Sequence, residues 1–346
     1  MPAWLKVPDF LHPAAGSDWL RSTLLEPRYP SVAFDLDPIN LAMVRVGKRK
    51  KERFVSSYRV EPIPPGLIEM DFYKVRLTDA ERFREVLERI LRNEPEKVTR
   101  ASLLLPDNYA RVAILQFDDF PRRRRDALQL VRWKTKKSMP FKVEEAAVDY
   151  MILPGAATGV KVLAVLTPRS VLEEFEGIFN SVGIQAGLVD LSTLSLLNLY
   201  RPILSKELVN GDECLLANVS GGFVTYVVFK GEQMVLFRCK PFAIGVTDDG
   251  GEGALRLMRR ELQASLLYYK EKLQGSGIAR AYLRIVGHDE QRVREIFGSQ
   301  EEIREVRSLD PRQVIEADSR FVGDQGDSLL HRLAPALGAA VGRAAS

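Results

Sequence analysis

Cysteine is nearly absent from this chain. Only Cys214 and Cys239 occur in 346 residues, which excludes a disulfide framework and fits a reducing cytosol. Both stand in strand-like runs, where buried inert thiols are expected. Histidine is almost as scarce: His12, His288 and His331 lie far apart without ligand-like spacing, so no metal site is expected. Long apolar runs are missing too, and nothing approaches the roughly 20 residues that cross a bilayer. The opening MPAWLKVPDFLHPAAG has neither a basic n-region nor a continuous apolar core, so no signal peptide is expected. Net charge is only +4, which does not by itself call for nucleic acid. What remains, with 46% hydrophobic and 28% charged residues, is a globular chain long enough for two or three domains.

A strand–turn–strand pattern occurs twice. The first copy, VAFDLDPINLAMVRVG, runs from Val32 to Gly47; the second, LLANVSGGFVTYVVFKG, from Leu215 to Gly231. Each is a short apolar strand, a tight polar turn, an alternating strand, and a glycine leading to a third strand. Two such meanders far apart in one chain point to two related lobes facing each other. Proteins of the actin and Hsp70 superfamily are built this way, with the two turns gripping nucleotide phosphates from opposite sides.

Between the copies the periodicity alternates. Residues 1–30 are proline-rich and irregular, and read as an N-terminal arm. Strands are expected near 31–36, 41–46 and 53–60. Thr78 and Glu81 read as a capping box before a helix whose inner face is Phe83, Val86, Leu87, Ile90 and Leu91. SLLLP and RVAILQF read as strands, Pro121 to Ser138 as a basic helix, and DYMIL and KVLAVLT as further strands. Another helix follows Thr167-Pro168, with Leu172, Phe175, Phe179 and Val182 inward and Gly183 at its end. RPILSKELVNGDE, 201–213, reads as an inter-lobe linker. After the second meander come a glycine-marked loop from Gly245 to Gly253 and a long helix carrying Leu255, Met258, Leu262, Leu266, Tyr269 and Leu273. The strand AYLRIV, a helix after Gly287 and a small-residue helix, SLLHRLAPALGAAVGR, complete the chain.

The segment Leu105 to Leu153 resembles the PilM family of type IV pilus assembly. The resemblance is carried in order by an LP strand, Arg111 in an R-V strand, a proline-led helix with Trp133, Pro140-Phe141, Glu144-Glu145 and Asp149-Tyr150. GIQAGLVDLSTLSLLNLY, LFRCKPFAIG and APALGAAVGR resemble later family motifs, so the likeness runs from about Ser31 to Arg343. It implies an α/β, actin-like/Hsp70-like duplicated two-lobed fold with mixed sheets and an inserted subdomain like that of FtsA. The implied division is a first lobe at 31–200 with the insert at about 98–182, a second lobe at 214–327, and a C-terminal helix at 328–346 returning to the first lobe.

The chemistry departs from that family. Its first phosphate loop, D-I-G-S-x-S-x-K, reads here Asp35-Leu36-Asp37-Pro38-Ile39-Asn40-Leu41-Ala42. Asp37 replaces the glycine that lets backbone N–H groups approach phosphate, and Ala42 replaces the lysine. The second loop, D-I-G in the family, is Asn218-Val219-Ser220, and Asn218 brings no negative charge for Mg²⁺. The adenosine motif, a glycine pair, is Gly287-His288. Asp35, Asn218, Gly221, Gly222, Gly245 and Gly287 are therefore the members of a degenerate ATP/Mg site; the glycines also have an ordinary use in turns. A pseudo-ATPase without catalytic residues is the expectation.

Arg122, Arg123, Arg124, Arg125, Arg132, Lys134, Lys136 and Lys137 give the basic helix a positive face. Most such faces are merely solvated, and nucleic acid would call for interleaved aromatics where only Trp133 is present. An anionic membrane surface or an acidic partner segment suits it better. Two functions compete. One is an adaptor, cytoplasmic and peripheral at the inner membrane, that by resemblance binds the cytoplasmic tail of a PilN-like bitopic protein between the first lobe and its insert. The other is an ATP-binding or ATP-hydrolysing switch in the same complex. The L-type cytoplasmic domain of type II secretion is a related reading, although those proteins continue into a transmembrane helix.

Overall fold

The computed structural model describes residues 29–49, 52–70, 75–92, 94–154, 158–208, 211–242, 251–316 and 324–341. The arm at 1–30 falls almost wholly outside them, as does Gly245.

Three strands open the chain: β1 (Val32–Leu36), β2 (Asn40–Arg49) and β3 (Glu52–Pro62), an antiparallel meander with Leu36 opposite Leu41. A small hairpin, β4 (Ile68–Met70) and β5 (Val75–Leu77), precedes helix α1 (Ala80–Leu91). Strand β6 (Arg100–Leu105) joins β1 in parallel. Next come β7 (Arg111–Phe117), α2 (Arg124–Thr135), β8 (Ala146–Leu153) and β9 (Val160–Pro168), then α3 (Arg169–Ser181), β10 (Gln185–Leu191) and α4 (Ser192–Leu208). The second half has β11 (Glu213–Ser220), β12 (Phe223–Lys230), β13 (Gln233–Pro241), α5 (Glu252–Lys272), β14 (Ile278–Ile285), α6 (Glu290–Gly298), β15 (Ile303–Ser308) and α7 (Asp324–Val341).

The two large sheets repeat one topology. The first is ordered β10-β6-β1-β2-β3 and the second β15-β14-β11-β12-β13. In each, an antiparallel meander is extended by two parallel strands, with a helix leading into each of them and a helix after the last. The parallel strands β6 and β10 are buried along most of their length, whereas the edge strand β15, IREVRS, is largely exposed. Beneath the first sheet α7 packs on β1 and β2 and against α4. That helix pair is close: a Cβ at Gly338 would lie 1.9 Å from the Ser195 carbonyl oxygen, so only glycine fits.

Three details differ from the sequence reading. The inserted subdomain, expected at 98–182, is narrower, because β6 lies between β1 and β10 in the first sheet, where its side chains from Ala101 to Leu105 are buried. The insert proper is the sheet β7-β9-β8 with α2 on one face, holding its own core of Phe117, Ala127, Val131, Val162 and Leu166. The stretch 201–213, expected as a linker, is helical to Leu208 even though Pro202 lies inside α4. Buried Leu204 and Leu208 tie that last part of the helix to the core, which outweighs the hydrogen bond proline removes. Finally, Asp79 rather than Thr78 caps α1, accepting from Arg82 N at 3.0 Å, while Thr78 donates to the carbonyls of Gly66 and Leu67.

Candidate functional site

The two hairpin turns meet between the lobes. In the first, Asp37 bends back on its own backbone: Oδ1 accepts from Ile39 N at 2.8 Å and Asn40 N at 2.9 Å. This is an Asx turn, and it places a carboxylate on the N–H groups that a phosphate would need. In the second, Ser220 pairs with Phe223, and Gly221 and Gly222 have φ of +59° and +82°. A two-residue turn with both residues left-handed demands glycine. Gly221 is also the contact point, since a Cβ there would lie 2.3 Å from Pro38 Cδ. Beside it, Gly287 (φ +78°) faces Ile39, whose Cδ1 would be 3.9 Å from an added Cβ.

Behind the turns lies a buried polar network whose centre is Arg284, on β14 and 2% exposed. Its Nη1 donates to Asn218 Oδ1 at 2.6 Å, its Nε to the His331 carbonyl at 2.7 Å and its Nη2 to the Arg332 carbonyl at 3.2 Å. The guanidinium thus ties the second sheet to α7, which belongs with the first lobe. Asn218 Nδ2 donates to Thr193 Oγ1 at 2.8 Å, and Thr193 donates in turn to Asp107. Asp107 also accepts from Thr225 Oγ1 at 2.6 Å, a second tie across the lobes. Ser192 Oγ donates to Asp35 Oδ1 at 2.6 Å, and Ser195 Oγ to Asp190 Oδ2 at 2.9 Å.

Burial sets the electrostatics. It pushes Asp35 up to about 7, against the pull of Arg284 and the Ser192 hydroxyl. Asp190 is likewise pushed up to about 7 by burial, and burial raises Asp107 and lowers Arg284. Burial also pushes the Cys239 thiol up to about 12, which leaves it unreactive at neutral pH.

Sequence reasoning named Asp35, Asn218, Gly221, Gly222 and Gly287, and the fold brings all five to this cleft. It missed Arg284, Asp107, Ser192, Thr193 and Thr225. For Arg284 a signal exists: it is the one charge in the apolar strand AYLRIV. Among the described residues, the cleft as arranged does not leave room for ATP with Mg²⁺. The cleft between the turns holds a cavity of about 30 Å³, room for one or two waters, against ~300 Å³ at the small end of ligand pockets. Among the described residues no three His, Cys, Asp or Glu are grouped to hold a metal ion.

No family model and no curated protein matches this sequence. Solved structures do. A chain of a PilM–PilN type IV pilus biogenesis complex superposes with a TM-score of 0.74 over 91% of this chain and 98% of that one, at 15% identity. The chain has the actin-like fold. Weaker likenesses are a Bacteroides thetaiotaomicron protein with an actin-like ATPase fold, TM-score 0.49 and 10% identity over 84% of this chain and 93% of that one, and the cytoplasmic domain of EpsL of the Vibrio cholerae type II secretion system, TM-score 0.43 and 11% identity over 75% and 83%. At these identities the likeness is one of fold. The Pro38–Gly221 contact and Arg284 lie in the cleft where the two turns meet between the lobes.

The basic cluster is split. Arg124 donates to buried Asp149 at 2.7 Å and lies over the Tyr150 ring; Arg132 donates to the Val143 and Ala146 carbonyls. Lys136 pairs with Glu144 at 2.7 Å. Of the eight cations, Arg124 and Arg132 thus also fasten α2 to its own sheet, while all but the half-buried Arg132 remain exposed. Among the described residues no helix is long and apolar enough to cross a membrane.

Proposed function

We propose that this chain is an assembly adaptor of a type IV pilus machine, acting at the cytoplasmic face of the inner membrane on the N-terminal tail of a PilN-like bitopic protein. One observation carries the reading. The groups that would grip a triphosphate are already satisfied from within, the first-turn N–H groups by the Asp37 carboxylate and the space between the turns by Pro38 and Arg284. With the cleft filled, recruitment is the task left to a PilM-like chain, and the fold likeness to a chain of the PilM–PilN complex supports it.

We assign the tail to the groove between the first lobe and the insert, on the resemblance of Leu105 to Leu153 to PilM. A tail of about ten residues buries modest area and must be ordered on binding, so affinity in the micromolar range is expected. The test is titration with a synthetic N-terminal peptide of a PilN-like protein from the same organism. Saturable binding supports the adaptor. No binding up to millimolar peptide, with no co-purification of the full-length partner, overturns it.

A further inference from the structure

Residues 121–142 carry nine Lys and Arg against one acid, Asp126, in a chain whose whole surplus is four. Only part of that charge is spent within the subdomain. Arg124, Arg132, Lys136 and Lys142 hold Asp149, two carbonyls, Glu144 and Glu145. Arg122, Arg123 and Lys137 are exposed and have no ion-pair partner among the described residues, and the Arg125 side chain is 87% exposed. Amid them stands Trp133, 71% exposed, while Ala127, Val131 and Thr135 turn the other face of α2 into the core. A large indole left this bare on an ordered helix, ringed by cations, needs an explanation that solvation does not give.

We propose that the outer face of α2 docks on anionic phospholipid headgroups, with the Trp133 ring seated at the headgroup level and Arg122, Arg123, Arg125 and Lys137 meeting phosphates around it. Indole is amphipathic and settles where an apolar layer meets water. Clustered cations add a salt-dependent attraction to an anionic leaflet. A single aromatic on a convex helix face, among flexible cations, suits a fluid plane of headgroups better than a shaped protein pocket. None of the residues lining the cleft lies on α2, and vesicle binding is read without any tail peptide, so the proposal stands or falls apart from the adaptor reading.

The test uses the full chain with Trp4→Phe and Trp19→Phe, which leaves Trp133 as the only indole. On phosphatidylglycerol-rich vesicles the protein should sediment and its tryptophan emission should shift to the blue; phosphatidylcholine vesicles should do neither. Raising salt from about 0.1 M to about 1 M should release it, since the screening length falls severalfold. Arg122→Glu with Arg123→Glu should weaken binding by about tenfold or more, with an unchanged melting temperature, because neither side chain has an ion-pair partner among the described residues. Trp133→Ala should weaken binding at unchanged charge. Absence of vesicle binding, which an acidic protein partner would give, overturns the proposal. So does salt-independent binding, or binding with Trp133 emission unmoved.

Discussion

The inter-lobe cleft and the outer face of α2 are both rich in charge, and they use it in opposite ways. In the cleft the named charges are held by fixed neighbours: buried Arg284 by three oxygens, buried Asp107 by two threonines, half-buried Asp37 by its own backbone. On α2 the charges that matter are bare. Buried charge survives only where it is paired, and removing one partner strands the rest. Exposed charge contributes little to the fold and is available to a partner. The difference teaches which region maintains the shape and which one meets the outside.

Interior substitutions should therefore be severe. Arg284→Leu leaves Asn218 and two α7 carbonyls without their donor and removes the cation facing Asp35 and Asp107. We predict a loss of about 3–5 kcal/mol in urea unfolding. Arg284→Lys should recover only part of it, because an ammonium lacks the fork that reaches three oxygens. A loss below about 1 kcal/mol, as for an exposed pair, would break the contrast.

The turn contact comes next. Gly221→Ala adds a Cβ at positive φ and against Pro38, for a predicted loss of about 2–3 kcal/mol. Adding Pro38→Ala should restore the steric share and leave the backbone share. Strict additivity of the two substitutions would mean that the turns do not touch.

A smaller effect depends on pH. Asp35 titrates near 3.8 when unfolded and about 7 when folded. The folded state thus retains a proton across that window that the unfolded chain has released, and stability falls as pH rises through it. Asp35→Asn mimics the protonated group and still accepts from Ser192. Relative to wild type it should be neutral near pH 4 and more stable by on the order of 1–3 kcal/mol above about pH 7. A flat difference across that range would show that Asp35 is not held in a desolvating site.

Much of this was legible in the sequence. The duplicated meander, the apolar β6 and the helix stripes follow from side-chain period alone, and the duplicated sheet order bears out the two-lobed reading. What stayed hidden depends on contacts between distant residues. Arg284 finds its partners on β11 and α7; Pro38 and Gly221 are far apart in sequence and meet only when the lobes close; Pro202 is tolerated because Leu204 and Leu208 reach the core. Reading Asp37 as a residue that would repel phosphate caught its charge. It did not catch that the carboxylate folds onto the N–H groups itself.

The central claim is that protein groups, not nucleotide, fill the cleft. Thermal melting with and without millimolar Mg-ATP tests it most directly. A ligand at a hundred times its dissociation constant stabilises a fold by about 2.7 kcal/mol, well within detection. We predict no shift in melting temperature; a clear, Mg-dependent rise that Arg284→Lys or Pro38→Ala alters would contradict the account.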